Sequence, residues 1–218
     1  YNNNNNNDSD DNNDIVIILN IASIVSLQYL NNTNNSLKYC NILKYNNIYN
    51  NKYYYYIKGL TYLQIVINNN NYNNKLKYLN KSINYLTKSL HYDLNDYKLN
   101  YYLSICYSLL RNINKSFKYI HKSLQLSPYI EHSLNFLSLL YISRKQYDNA
   151  LLTLNSCLKQ FPNSIITLFS IARIYQNINQ FDKALIQYKK LSNSIPKIFR
   201  LRNYNTDQIE AEVKFELW

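Results

Sequence analysis

The side chains that could carry chemistry are few. Histidine occurs at His91, His121 and His132, none of them in an H-E-x-x-H pattern or at metal-ligand spacing from a cysteine. Cys40, Cys106 and Cys157 are odd in number and never form C-x-x-C, which fits reduced thiols better than a disulfide framework or a zinc site. General acid and base work needs paired carboxylates. Such pairs are scarce, and Asp93 and Asp96 flank a boundary between periodic segments and read as helix-capping groups. With a single Gly, the chain has no G-x-S-x-G, Walker or G-x-G-x-x-G loop. These residues point to a non-enzyme with no metal, no cofactor and no small-molecule substrate.

The chain is richer in groups that bind. It holds 25 Tyr and a net charge of +11. A basic balance can serve nucleic acid or an acidic membrane. Here Asn, Tyr, Ile, Leu and Lys dominate, most of them with AT-rich codons. Lys75, Lys77, Lys81, Lys88, Lys115, Lys118 and Lys122 are spread along the chain without a dense block, so coding bias is the favoured source of the charge. RNA binding on a basic, Tyr-rich surface is kept as the alternative function. Its most suggestive run, Tyr53-Tyr54-Tyr55-Tyr56, is spread around the axis by helical geometry and forms no stacking platform. The apolar run from Ile15 to Leu30 is interrupted by Asn20, Ser23, Ser26 and Gln28 and is short of the ~20 residues a span needs. It reads as a buried helix. Glycosylation sequons such as those at Asn31, Asn34, Asn80 and Asn114 are expected by chance in so Asn-rich a chain.

What must position any binding groups is a repeat. Leu134, Leu137, Ser138, Tyr141, Tyr147, Ala150, Leu154, Cys157 and Pro162 recur 34 residues later as Leu168, Ile171, Ala172, Tyr175, Phe181, Ala184, Tyr188, Leu191 and Pro196. Stepping back 34 gives Asn100, Leu103, Ser104, Tyr107, Ile113, Ser116, Ile120, Ser123 and Pro128. Within each period two apolar stripes at helical spacing flank a short polar break, and Pro ends the second. Ser138 and Ala150 are expected where the paired helices approach most closely, with Cys157 at the contact with the next repeat.

The pattern Leu134-x2-Leu137-Ser138-x2-Tyr141…Ala150-x3-Leu154…Pro162 resembles the tetratricopeptide repeat, W-x2-L-G-x2-Y…A-x3-F…P. The resemblance implies an all-α fold, a helix-turn-helix solenoid wound as a right-handed superhelix. Clear repeats are expected at 97–130, 131–164 and 165–198. Another, at 52–96, carries Gly59 on the Gly position and an Asn-rich insertion of about 11 residues near 68–80, expected as a lengthened loop. A degenerate pair is expected at 15–50, with Ile18, Ile21, Ala22 and Val25 on one buried face and Ser36, Cys40 and Leu43 on the next. Residues 1–14 read as a disordered Asn/Asp-rich segment. Asp207-x2-Glu210 reads as a capping box opening a helix at 207–218 that starts a further repeat, so the chain is expected to be part of a longer protein.

Proteins of this kind bind partner peptides or helices on the concave side, lined by the first helices. Projected outward, those helices offer Tyr53, Tyr56, Lys98, Tyr101, His132, Asn135, Phe169 and Arg173. The expected site is an aromatic, weakly basic groove for a protein partner, without a carboxylate clamp. The stretch from His132 to Leu151 is also similar to the repeat scaffold that helps place a phosphatidylinositol 4-kinase at the plasma membrane. That likeness implies a cytoplasmic adaptor, peripheral at a membrane through a complex.

Overall fold

The computed structural model describes residues 17–26, 32–45, 52–68 and 72–194. Among them every regular element is an α-helix: α1 (residues 17–26), α2 (Thr33–Tyr45), α3 (Lys52–Asn68), α4 (Tyr72–Tyr92), α5 (Tyr97–Leu109), α6 (Ile113–Leu126), α7 (Glu131–Ser143), α8 (Tyr147–Gln160), α9 (Ile165–Asn177) and α10 (Phe181–Ser194). The chain divides into two compact units. The first, residues 1–128, contains α1–α6, and the second, residues 129–218, contains α7–α10. In the first unit α3 packs on α4 and α5 on α6. In the second, α7 packs on α8 and α9 on α10.

The 34-residue period reappears in the backbone. Arg111, Lys145 and Asn179, each 34 residues from the next, adopt left-handed φ values of 59°, 57° and 59°. Each sits in the turn between paired helices. The following amides reach back to close the first helix: Asn112 N–H donates to Tyr107 O (2.9 Å), Gln146 N–H to Tyr141 O (2.9 Å) and Gln180 N–H to Tyr175 O (2.8 Å). A left-handed residue with such a bond is the usual helix C-terminal device. Second helices end two residues before Pro128 and Pro162, which cannot continue them. Pro196 lies outside the described residues.

The small residues let the helices touch. Gly59 faces Leu86, and a β-carbon built on it would lie 2.7 Å from Leu86 Cγ. Ser82 Oγ donates to the Gly59 carbonyl at 2.8 Å. In the next pair Ser104 and Ser116 clasp each other, each hydroxyl donating to the other's carbonyl at 2.9 and 2.8 Å. Ser138, Ala150 and Ala172 are fully buried at equivalent places. Around these crossings the first unit buries Leu63, Val66, Leu79, Leu86, Leu99 and Leu103, and the second Leu154, Ile171 and Ile174.

Two expectations are corrected. The Asn-rich insertion is no lengthened loop. α3 has 17 residues where α5 has 13, and α4 has 21 where α6 has 14, which together absorb all of the extra residues. Only residues 69–71 lie between α3 and α4, as many as separate α5 from α6. Val66 and Leu79, each 2% exposed, lie in these extensions and hold them together. In α1 the buried positions are Ser23 and Ser26, whereas Ile18, Ile21 and Val25 are exposed. The expected apolar face is therefore not the one that meets the first unit's core; Leu19 and Ile24 pack there instead. The expectations for residues 1–14 and 207–218 lie outside the described residues.

Candidate functional site

The first helices of the pairs position the candidate residues, and side-chain caps fix the starts of two of them, α5 and α9. Asp96 accepts from the amides of Lys98 (2.9 Å) and Leu99 (3.1 Å) to open α5, and Ser164 from that of Thr167 (3.1 Å) to open α9. Asp93 and Asp96 also hold Lys52, at 2.7 and 2.9 Å. The hydrogen bond from Lys52, together with the Asn95 amide, keeps the Asp93 carboxyl below its ordinary range. Partial burial pulls the Lys52 ammonium down, but the two carboxylates outweigh it and its pKa is raised. This pair of carboxylates is spent on capping and on one lysine.

In the first unit Tyr53 is 61% exposed at the start of α3, and Lys98 is exposed at the equivalent place on α5, its ammonium 5.9 Å from the Tyr97 ring centre. One turn further on, Tyr56 and Tyr101 are half-buried. Both rings pack against Tyr102, at 6.1 and 5.2 Å and steep interplanar angles of 60° and 63°. Burial, and secondarily Tyr102, pushes the Tyr101 hydroxyl up to about 12, and the same causes raise Tyr56. Tyr102 was not among the expected residues, yet it joins Tyr56 to Tyr101.

In the second unit His132 is exposed at the start of α7. Phe169 is 43% exposed on α9, with the Arg173 guanidinium 5.9 Å from its ring centre and Tyr188 of α10 at 6.3 Å. Arg173 is itself exposed. Asn135 is a correction. It is 6% exposed and turned into the contact between α7 and α9. Its Nδ2 donates to Glu131 O and to Thr167 Oγ1, both at 3.0 Å, and Thr167 Oγ1 donates back to its Oδ1 at 3.1 Å. A short amide opposite a buried hydroxyl is drawn inward, where leaving either group unpaired would cost free energy. Cys157 closes the same cluster, 3.4 Å from Thr167 Oγ1. Its thiol, like those of Cys40 and Cys106, is buried, and burial raises all three, Cys40 and Cys106 to about 11. These thiols serve as small packing residues and stay protonated at neutral pH.

An aromatic ladder lies along α3 and α4. Rings from the two helices alternate in the order Tyr78, Tyr62, Tyr85, Tyr55 and Tyr92, with centres 6.0, 5.7, 6.3 and 6.0 Å apart and interplanar angles of 15° to 31°. Its sequence signal is tyrosine at seven-residue intervals on both helices. Lys81 sits over Tyr62 at 5.2 Å. The same pairing recurs as Lys115 over Tyr107 (5.2 Å) and Lys183 over Tyr175 (5.7 Å). The tyrosine is the repeat's own Tyr position, so the lysines cap its packing.

Residues 137–164 match the tetratricopeptide repeat family model. The fold is that of a tetratricopeptide-repeat protein. A crystal structure of MamA is 18% identical and superposes with a TM-score of 0.61 over 80% of this chain and 95% of that one. TTC0263, a thermophilic repeat protein of Thermus thermophilus, is also 18% identical, with a TM-score of 0.61 over 77% and 80%. A second MamA structure is 16% identical, with a TM-score of 0.60 over 88% and 97%. No curated protein matches the chain. Among the described residues no helix is long and apolar enough to cross a membrane.

Proposed function

We propose that the chain is a protein-interaction scaffold that holds a partner peptide or helix on the outward face of its first helices. The observation that carries this is the register of the first unit, where Tyr53 and Lys98 occupy equivalent first-turn positions and both are exposed. The second unit by itself exposes His132, Phe169 and Arg173 on its own first helices. Exposed aromatic and cationic groups at one register position suit a segment laid across successive helices, where a few anchors supply most of the affinity. Attachment to a peripheral lipid-kinase complex is the finer version, resting on the likeness at 132–151. The RNA alternative has less support, because the ladder rings that would stack bases already face one another.

The test is quantitative capture of partners by the full chain from its own cells. Two variants are compared with it, Tyr53→Ala with Lys98→Ala and His132→Ala with Phe169→Ala and Arg173→Ala, each with an unchanged melting curve. The reading expects named partners to fall away in at least one variant. Partners retained by both would refute it.

A further inference from the structure

The charge is not evenly distributed once the helices are in place. Between residues 15 and 128 there are 13 Lys and Arg against two carboxylates, a surplus of 11 that equals the net charge of the whole chain. Both carboxylates, Asp93 and Asp96, are engaged by Lys52. The core side of α4 carries Leu79, Ser82, Leu86 and Ser89. At 100° per residue, Lys77, Lys81 and Lys88 fall on the side away from it. On α6 the core side carries Ser116, Phe117, Ile120 and Ser123, and Lys115, Lys118 and Lys122 form a stripe at i, i+3 and i+7 away from it. Neither helix contains an acidic residue. Coding bias does not account for the placement, since α8 has Asn149, Leu152 and Ser156 at the register of the α6 stripe.

We propose that the outer face of α4 and α6 is a docking surface for a carboxylate-rich extended segment, and that its occupant is this chain's own stretch from Asp8 to Asp14. That stretch, DSDDNND, holds Asp8, Asp10, Asp11 and Asp14, and residues 1–14 contain no Lys or Arg. The dimensions agree. The α4 stripe spans 11 residues of helix, ~16 Å at ~1.5 Å per residue, and Asp8 to Asp14 extended spans ~20 Å at ~3.4 Å per residue. The segment directly precedes α1 of the same unit, so tethering raises its effective concentration at the face. Lys81 and Lys88 are held over Tyr62 and Tyr55 at 5.2 and 5.7 Å, which pre-orders their ammonium groups while leaving donors for a carboxylate. A carboxylate peptide needs only these donors. RNA would also draw on ring faces that the ladder occupies.

Zero-length carbodiimide coupling on the dilute full chain, mapped by mass spectrometry, tests this. Lys52–Asp93, at 2.7 Å, is the internal control and couples in every sample. The expected result is intrachain coupling of Asp8, Asp10, Asp11 or Asp14 to Lys77, Lys81, Lys88, Lys115, Lys118 or Lys122, suppressed by ~0.5 M salt (about 4 Å of screening length). The variant Asp8→Asn, Asp10→Asn, Asp11→Asn, Asp14→Asn is expected to bind a fluorescent hexa-aspartate peptide at least about threefold more tightly than the parent, because the face is vacated. Coupling only between chains, coupling to lysines elsewhere, or a hexa-aspartate affinity unmoved by the substitutions would overturn the proposal. So would poly(U) binding that the substitutions leave unchanged alongside no coupling, which would make the face an RNA surface.

Discussion

Replacing Gly59 by Ala tests a close helix contact in the first unit. The new β-carbon would stand 2.7 Å from Leu86 Cγ, 2.8 Å from its Cδ2 and 3.1 Å from its backbone nitrogen. Cγ is the branch point of a fully buried side chain and the nitrogen belongs to α4, so neither can move aside without shifting the helix. Ordinary contact would need the helices to separate by several tenths of an ångström, stretching the 2.8 Å bond from Ser82 to the Gly59 carbonyl. Overpacking of this kind costs about 1–3 kcal/mol. Against it, Ala gains about 1 kcal/mol over Gly in a helix interior. The net expectation is a loss of about 1 kcal/mol, read as a lower urea midpoint followed by far-ultraviolet circular dichroism. A double-mutant cycle isolates the contact. Leu86→Ala alone costs about 2–5 kcal/mol, and with the clash relieved the pair should cost less than the sum by about 2 kcal/mol. A Gly59→Ala chain more stable than the parent, with an additive cycle, would refute the close approach.

Three further outcomes are expected. Asn135→Ala takes both amide contacts from the buried Thr167 hydroxyl, which keeps Ser164 Oγ at 2.7 Å, and should cost about 1 kcal/mol, measured by urea midpoint; an unchanged midpoint would deny the cluster. Lys145→Gly relieves a left-handed non-glycine residue and should raise stability by about 0.5–1 kcal/mol, whereas a loss would show that the turn conformation is wrong. Lys52→Met should lower the midpoint at pH ~7. Asp93 has a depressed pKa, so its contribution is present above the unfolded value near 3.8 and vanishes as pH falls through the folded one. Lys52 is raised, so its contribution is lost only as pH climbs past 10.5. The gap between variant and parent should therefore be flat near neutrality and close in acid, at pH values below the ordinary carboxylate value of 3.8; a gap persisting once the carboxylates are protonated would contradict the bridge.

The helix pairing was legible in the sequence because small, large and Pro residues recur at one spacing. The local exceptions were not. Composition marks residues 68–80 as loop, since Asn outnumbers everything there, but Val66 and Leu79 bury well enough to carry both helices through it. Register treats Asn135 as equivalent to Tyr101 and Phe169, yet a short amide can be captured by a neighbouring hydroxyl where a ring cannot. Apolar periodicity puts the wrong face of α1 inward, because that helix buries serines. Lysines counted along the chain look scattered; counted around α4 and α6 they form stripes.

The central claim is that the outward face of the first helices receives a protein segment. Peptides selected from a random display library against the full chain, then measured by calorimetry, test it most directly. The account predicts that selected peptides lose about tenfold or more in affinity, ~1.4 kcal/mol, on Tyr53→Ala with Lys98→Ala or on Phe169→Ala with Arg173→Ala. Leu152→Ala, 69% exposed on α8, should leave them unchanged. Peptides that bind both groove variants as tightly as the parent would contradict the account.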